Sequence, residues 1–168
     1  MKKSTDCPID SDKTAGWYTG SGYQIEIDEM LYQIKNHSNQ GGKVFIGTDS
    51  MLRVDTCVFA TAICLYDGSA KSGGRYFFKR NIEKNSNYTE LNLRMLKEVN
   101  DSIEMAGKII ERYPKVDIEI HVDVGTSPRS KTRKLVDALK GWATASGFSC
   151  KVKPNAWASA SVADKHTK

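Results

Sequence analysis

Residues 56–66, TCVFATAICLY, form a nearly unbroken apolar run rich in β-branched and aromatic side chains. Such a run reads as a central strand buried on both faces, because a half-exposed strand would alternate apolar with polar residues. The chain must then supply partners on either edge of this strand and cover on both of its faces. Residues 43–50 (KVFIGTDS) and 75–82 (RYFFKRNI) read as the partners. Short connectors around Arg53-Val54-Asp55 and Asp67 to Gly74 join them, which predicts a three-stranded antiparallel meander.

The rest of the chain alternates helix and strand. Residues 25–36 place Ile27, Met30, Leu31 and Ile34 at helical spacing, with Asp28 and Glu29 in the first turn, where acids suit the helix dipole. Thr89 to Arg112 predicts a long helix with the stripe Leu96, Val99, Ile103, Ala106 and Ile110, ended by Pro114. Residues 117–124 alternate as a strand, with Glu119, His121 and Asp123 on one face. A helix over 131–145, with Leu135, Val136, Leu139 and Trp142 as its apolar side, a short strand over 148–153 and a last helix over 157–166 follow. The expectation is an α/β domain over residues 25–168. Its mixed five-stranded sheet has three antiparallel strands, then parallel strands, and helices flank it. Residues 1–24 read as a flexible N-terminal arm, with Trp17 and Tyr18 as its docking points.

A chain of 168 residues fits one such domain. No apolar run reaches the length of a membrane span, and no apolar segment follows Lys2 and Lys3 as in a secretory signal, so no membrane partner and a cytoplasmic location are expected. Cys7, Cys57, Cys64 and Cys150 form no C-x-x-C pair, and an odd separation puts Cys57 and Cys64 on opposite strand faces, so reduced thiols are expected. Charge is uneven. Residues 1–40 carry four Lys and six acids (−2), whereas residues 123–168 carry nine basic and three acidic residues (+6). A basic C-terminal third suggests a polyanionic partner, with nucleic acid first.

Two aspartates end strands: Asp49 in Gly47-Thr48-Asp49-Ser50, and Asp123 in His121-Val122-Asp123. Strand ends face the rim where open α/β sheets bind ligands. On neighbouring strands running the same way, the two carboxylates would converge. Mutual repulsion then calls for a cation, and hard oxygen donors suit Mg²⁺ or Mn²⁺. Glu98 on the long helix, with Glu90 as its alternative, and Asp164 among the small residues of the last helix are further candidates. His121 is a candidate to orient an attacking water or accept its proton. Arg129, Lys131, Arg133 and Lys134, with Ser130 and Thr132 among them, open a helix where phosphate contacts are favoured. Lys151 and Lys153 extend that track, and Tyr88 and Trp157 are candidate base-stacking groups.

The order strand-end Asp, helix Glu, strand-end Asp, last-helix Asp resembles the ribonuclease H-like superfamily, which includes ribonuclease H and Holliday-junction resolvases of the RuvC kind. Four strings look more narrowly like the ribonuclease H-like YkuK family: Lys43 to Ser50, Ile118 to Gly125, Ser130 to Arg133, and Lys151 to Ser159. The resemblance covers roughly residues 25–168. It implies a metal-dependent nuclease or resolvase-like phosphodiesterase using two Mg²⁺ or Mn²⁺ ions. Asp49 would take the part of the bridging aspartate, with Glu98, Asp123 and Asp164 completing the set. The same fold also serves as a non-catalytic module that binds nucleic acid or protein.

Overall fold

The computed structural model describes residues 16–68 and 74–168. The strands are β1 (Trp17–Thr19), β2 (Gln24–Ile25), β3 (Lys43–Leu52), β4 (Thr56–Tyr66), β5 (Arg75–Lys84), β6 (Ile118–Val122) and β7 (Ser149–Val152). They form one sheet in the order β2-β1-β5-β4-β3-β6-β7. β4 is the middle strand. Val58, Phe59, Ala60, Ala62, Ile63 and Cys64 along it are all buried, as its two-sided apolar run requires. β3, β4 and β5 pair antiparallel, while β6 and β7 join in parallel beyond β3.

Among the described residues the sheet has seven strands rather than five. The additional two come from the expected arm: Tyr18 and Thr19 pair with Phe78 and Phe77 of β5, and β2 folds back on β1. Trp17 is buried in the main core, and its apolar area favours docking over solvation. Residues 1–15, including Cys7, lie outside the described residues.

Helices α1 (Ile27–Asn39), α2 (Leu91–Arg112) and α3 (Val136–Ala145) cover one face. Met30 and Ile34 of α1, Met95, Val99 and Ile109 of α2, and Leu139 of α3 share one core with Val44, Ile46 and Ile120 of the sheet. The buried side of α2 is turned from the expected stripe. Leu96 is 42% exposed, whereas Glu98 and Ser102 are buried. Ser102 Oγ lies 2.9 Å from Thr48 Oγ1, so a polar pair holds the helix where hydrophobic periodicity would place a leucine. The expected helix over 131–145 is α-helical only from Val136. A 3-10 turn, Arg133–Leu135, precedes it.

The last segment crosses the opposite face as a wide π-helical stretch, Ala158–Ala163, then a 3-10 turn, Asp164–His166, where a regular helix over 157–166 is expected from the sequence. Its core is small: Ala158 and Ala163 against Ala62 and Cys64, edged by Phe45 and Trp157. Close approach replaces bulk. A Cβ on Gly47 would stand 2.4 Å from the backbone N of Ser159. The His166 ring stacks on Phe78 with centroids 3.6 Å apart, which brings the C-terminus back over β5 and β4. Cys57 and Cys64 are buried free thiols, and burial pushes the Cys64 thiol up to about 12.

Candidate active site

Strand register builds the site. Gly47 of β3 pairs with His121 of β6, so two residues further on Asp49 stands level with Asp123. Val122 of β6 pairs with Val152 of β7, so one residue further on Asp123 stands level with Lys153. Asp49, Asp123 and Lys153 therefore form a row on the face that the last segment crosses. Asp49 does not end its strand as expected, because β3 continues against β4 to Leu52, whereas Asp123 and Lys153 follow the last residues of β6 and β7. Lys153 Nζ is 2.7 Å from Asp123 Oδ1, a charge contact without hydrogen-bond geometry, so this buried oxygen has no hydrogen-bond partner. The Thr167 hydroxyl lies 3.2 Å from Asp49 Oδ2 and 2.9 Å from the Asp164 carbonyl, and its proton serves one acceptor at a time. Burial, then the Asp123 charge, raises the Asp49 carboxyl to about 6, against the Thr167 hydrogen bond.

Glu98 reaches the same rim from α2. It is 2% exposed, an extreme position for a carboxylate. Ser50 Oγ donates to its Oε1 at 2.5 Å, while Oε2 is buried without a hydrogen-bond partner. Burial drives its pKa well above the usual carboxylate range. The Ser50 hydrogen bond and Arg94 oppose that rise, and the charges of Asp49 and Asp123 add to it. Three carboxylates thus share one low-dielectric rim, and each is held by a different neighbour: Thr167, Lys153 and Ser50. Among the described residues, no three His, Cys, Asp or Glu side chains are drawn together as a finished metal cage.

A cleft of about 760 Å³ opens over these groups. Asp49, Ser50 and Asp123 from the sheet side, Arg94, Met95 and Glu98 of α2, and residues of the loop from Gly125 to Thr132 line it. That loop is built by its hydroxyls. Thr132 Oγ1 accepts from the Gly125 N–H at 3.0 Å and lies 2.9 Å from Ser130 Oγ. Gly125 is required there, since a Cβ would come within 2.4 Å of Ser130 Oγ. Exposed Arg129 and Lys131 line the cleft with Lys153, while Arg133 and Lys134 sit on the 3-10 turn behind it and Lys151 on β7 outside it. The cations expected at a helix start are thus on a loop and a 3-10 turn before α3.

Other candidates from the sequence sit elsewhere. His121 is 1% exposed beneath the last segment, ringed by Phe45 and Trp157. Its Nδ1 accepts the Ala158 N–H at 3.0 Å, so the ring proton resides on Nε2, 3.1 Å from Glu119 Oε1. Both ring nitrogens are used, His121 does not line the cleft, and its Nδ1 anchors the last segment. The Asp164 carboxylate pairs with Lys168 at 2.7 Å and acts on Asp49 through its charge. Glu90 is the exposed residue that precedes α2. Tyr88 donates to Glu83 Oε2 at 2.6 Å and packs edge-on against Phe59, and Trp157 packs on Phe45, so neither presents a free stacking face in the cleft.

Ser50, Arg94 and Thr167 belong to the site and escape a reading of the sequence. Arg94 carried a usable signal, four residues before Glu98 and so on the same helix face. Ser50 carried a weaker one, because strand alternation turns it away from Asp49 and toward the helix layer. Nothing local marks Thr167.

No curated protein matches the sequence. A family model described as Ribonuclease H-like matches residues 25–168, from the end of β2 through the last residue. The mixed sheet with antiparallel β3-β4-β5, parallel β6 and β7, and helices on both sides agrees with that match. The chain belongs to the ribonuclease H-like family.

Proposed function

We propose that the protein is a metal-dependent nuclease or resolvase-like phosphodiesterase of this family, similar to YkuK-family proteins in the four strings named above. One observation carries the reading. Asp49, Asp123 and buried Glu98 open on a single cleft that Arg129 and Lys131 also line. Repelling carboxylates cost stability unless a cation neutralises them, and the unpartnered Glu98 Oε2 is an oxygen donor without a proton to accept. The donor set is all oxygen, which fits Mg²⁺ or Mn²⁺.

In this reading Asp49 and Asp123 hold the metal pair from the sheet and Glu98 from α2, with Asp164 an outer carboxylate. A bound pair of such ions stabilises the attacking and leaving oxygens of an in-line phosphodiester displacement. Ser50 fixes the Glu98 carboxylate, and Thr167 orients Asp49. Arg129 and Lys131 bind flanking phosphates without reading sequence. The substrate is a nucleic acid, acted on in the cytoplasm. The test is cleavage of labelled RNA, DNA, hybrid duplex and four-way junction in Mn²⁺ and in EDTA. Metal-dependent cleavage of any of them is expected, and none in Mn²⁺ would refute the reading.

A second reading is favoured by the Lys153–Asp123 ion pair. A protein cation already neutralises one carboxylate, as a module that binds nucleic acid without cutting it would tolerate. Binding in the same panel, equally strong in EDTA and Mn²⁺ with no product, would select it.

A further inference from the structure

We propose that Lys153 is the site's own counter-cation: it holds Asp123 when no divalent ion is present and is displaced when one binds. The inference rests on the metal-binding reading of Asp49, Asp123 and Glu98 and concerns how that site is regulated.

The contact is built by the fold. Lys153 stands opposite Asp123 by continuation of the β6–β7 register. Its backbone N–H donates to the Val124 carbonyl at 3.2 Å, fixing the lysine main chain beside the aspartate strand. Only the side chain is free to move, and it ends 2.7 Å from Asp123 Oδ1. The aspartate side chain is 18% exposed and the lysine side chain 50%, so the ammonium enters from solvent onto a mostly buried acid. Asp123 therefore has a partner that can leave, whereas Glu98 is tied to a strand hydroxyl.

Charge makes the arrangement exclusive. An ammonium in contact with Asp123 and a divalent ion on the same carboxylate repel as a charge of one against two at a few ångströms, an interaction that even water leaves substantial. The lysine withdraws, or the ion binds weakly. In its resting position Lys153 thus sets a threshold for metal occupancy and offsets part of the repulsion among the three acids. Its role in phosphate contact, expected from the sequence, becomes conditional on metal binding.

The test is Mn²⁺ affinity without substrate, read from the electron paramagnetic resonance signal of free Mn²⁺, for wild type, Lys153→Met, Lys153→Arg and Lys151→Met. Lys153→Met should bind Mn²⁺ about tenfold or more tightly than wild type, as removal of an adjacent unit charge implies. Lys153→Arg should stay near wild type because it keeps the charge. Lys151→Met, which removes the same charge two residues away on the same strand face, should change affinity less than about threefold. If wild type binds Mn²⁺ and Lys153→Met binds it equally or more weakly, the counter-cation role is wrong and the metal reading stands. The same holds if Lys151→Met matches Lys153→Met, because net charge alone then explains the gain. If neither wild type nor Lys153→Met binds Mn²⁺ at millimolar concentration, both the role and the metal reading fall.

Discussion

Asp49 and Asp123 stand level on neighbouring parallel strands, each two residues beyond the Gly47–His121 pair that closes the β3–β6 ladder. The parallel pairing of Val44 to Gly47 with Ile118 to His121 aims both acids the same way along the sheet, and the charge of Asp123 reaches Asp49. Asp49→Asn keeps the side-chain shape and removes one of the two charges. Under the proposed function, metal-dependent cleavage should fall by several orders of magnitude, since a bound metal pair would serve both the attacking and the leaving oxygen. Nucleic-acid binding in EDTA should hold or strengthen, because a negative charge leaves a polyanion site. Cleavage and binding measured on the same preparation decide the matter, and a variant that still cuts at the wild-type rate would remove Asp49 from the mechanism.

Glu98 and Glu90 separate by the same assay. Glu98→Gln should reproduce the loss of cleavage, because Glu98 faces the cleft with an unpartnered Oε2. Glu90→Gln should cut normally, because Glu90 is exposed just before α2 begins.

The carboxylates of the cleft should make the metal-free protein lose stability from mild acid to neutral pH, while half-buried His166, lowered to about 4, works in the opposite direction. Asp49 rises to about 6 from an ordinary 3.8, and Glu98 rises as well. A group with a raised folded-state pKa binds more protons folded than unfolded through that interval, so stability falls as pH climbs from about 4 through about 6. Above about 6 the Asp49 penalty is fully developed; below about 4 it is absent. Urea unfolding in EDTA across pH 4.5 to 8, read as wild type minus Asp49→Asn, should show the decline, because the histidine contributions are common to both proteins. Asp49→Asn should be the more stable protein at pH 8. A difference that stays flat across the interval would mean that the Asp49 carboxyl is not raised.

Much of this architecture is legible in the sequence because its signals are local. The apolar run at 56–66 demands a middle strand, and the alternation at 117–124 together with intervening helical periodicity demands parallel crossovers. Signals fail where polar tertiary contacts override periodicity. The α2 stripe points to Leu96, but the Ser102–Thr48 and Glu98–Ser50 contacts turn the helix so that Leu96 is exposed. β1 and β2 are three and two residues long, too short for alternation to register. His121 shares a strand face with Asp123 and so reads as part of the same chemistry. Only the path of the last segment, admitted by Gly47, shows that this face is covered at His121 and open at Asp123.

The basic loop should bind phosphate, with its members contributing unequally. Replacing Arg129, Lys131, Arg133 and Lys134 with Ala should flatten the slope of log affinity against log salt, because each lost phosphate contact removes about 0.9 from the slope on duplex DNA. The pair Arg129 and Lys131 lines the cleft and should account for most of the change. If the Arg133 and Lys134 pair accounts for most of it instead, nucleic acid runs over the 3-10 turn and not through the cleft.

Gly47→Ala should loosen the last segment. The new methyl would collide with backbone at Ser159 and Ala158, which cannot rotate aside as a side chain would. Overpacking of this kind costs about 1–3 kcal/mol. Thr167 would shift from Asp49 with the segment, so the loss in thermal stability should accompany weaker Mn²⁺ binding. Unchanged melting would mean the segment sits farther from β3 than described.

His121 should prove to be an anchor and not a base. Its Nδ1 satisfies the Ala158 N–H and its Nε2 proton meets Glu119, whose other oxygen takes the Lys43 ammonium at 3.2 Å. Burial holds the imidazole below its usual pKa against the pull of Glu119, which keeps Nδ1 free to accept. His121→Ala would leave a cavity against Phe45 and Trp157 and a buried N–H without an acceptor. Such losses together cost about 2–5 kcal/mol. Urea unfolding should show that drop, while cleavage assayed well below the melting transition should keep the wild-type pH dependence, since no proton of the reaction passes through this ring. The opposite pattern, full stability with cleavage lost or its pH profile shifted, would return His121 to the chemistry and require the last segment to open over it.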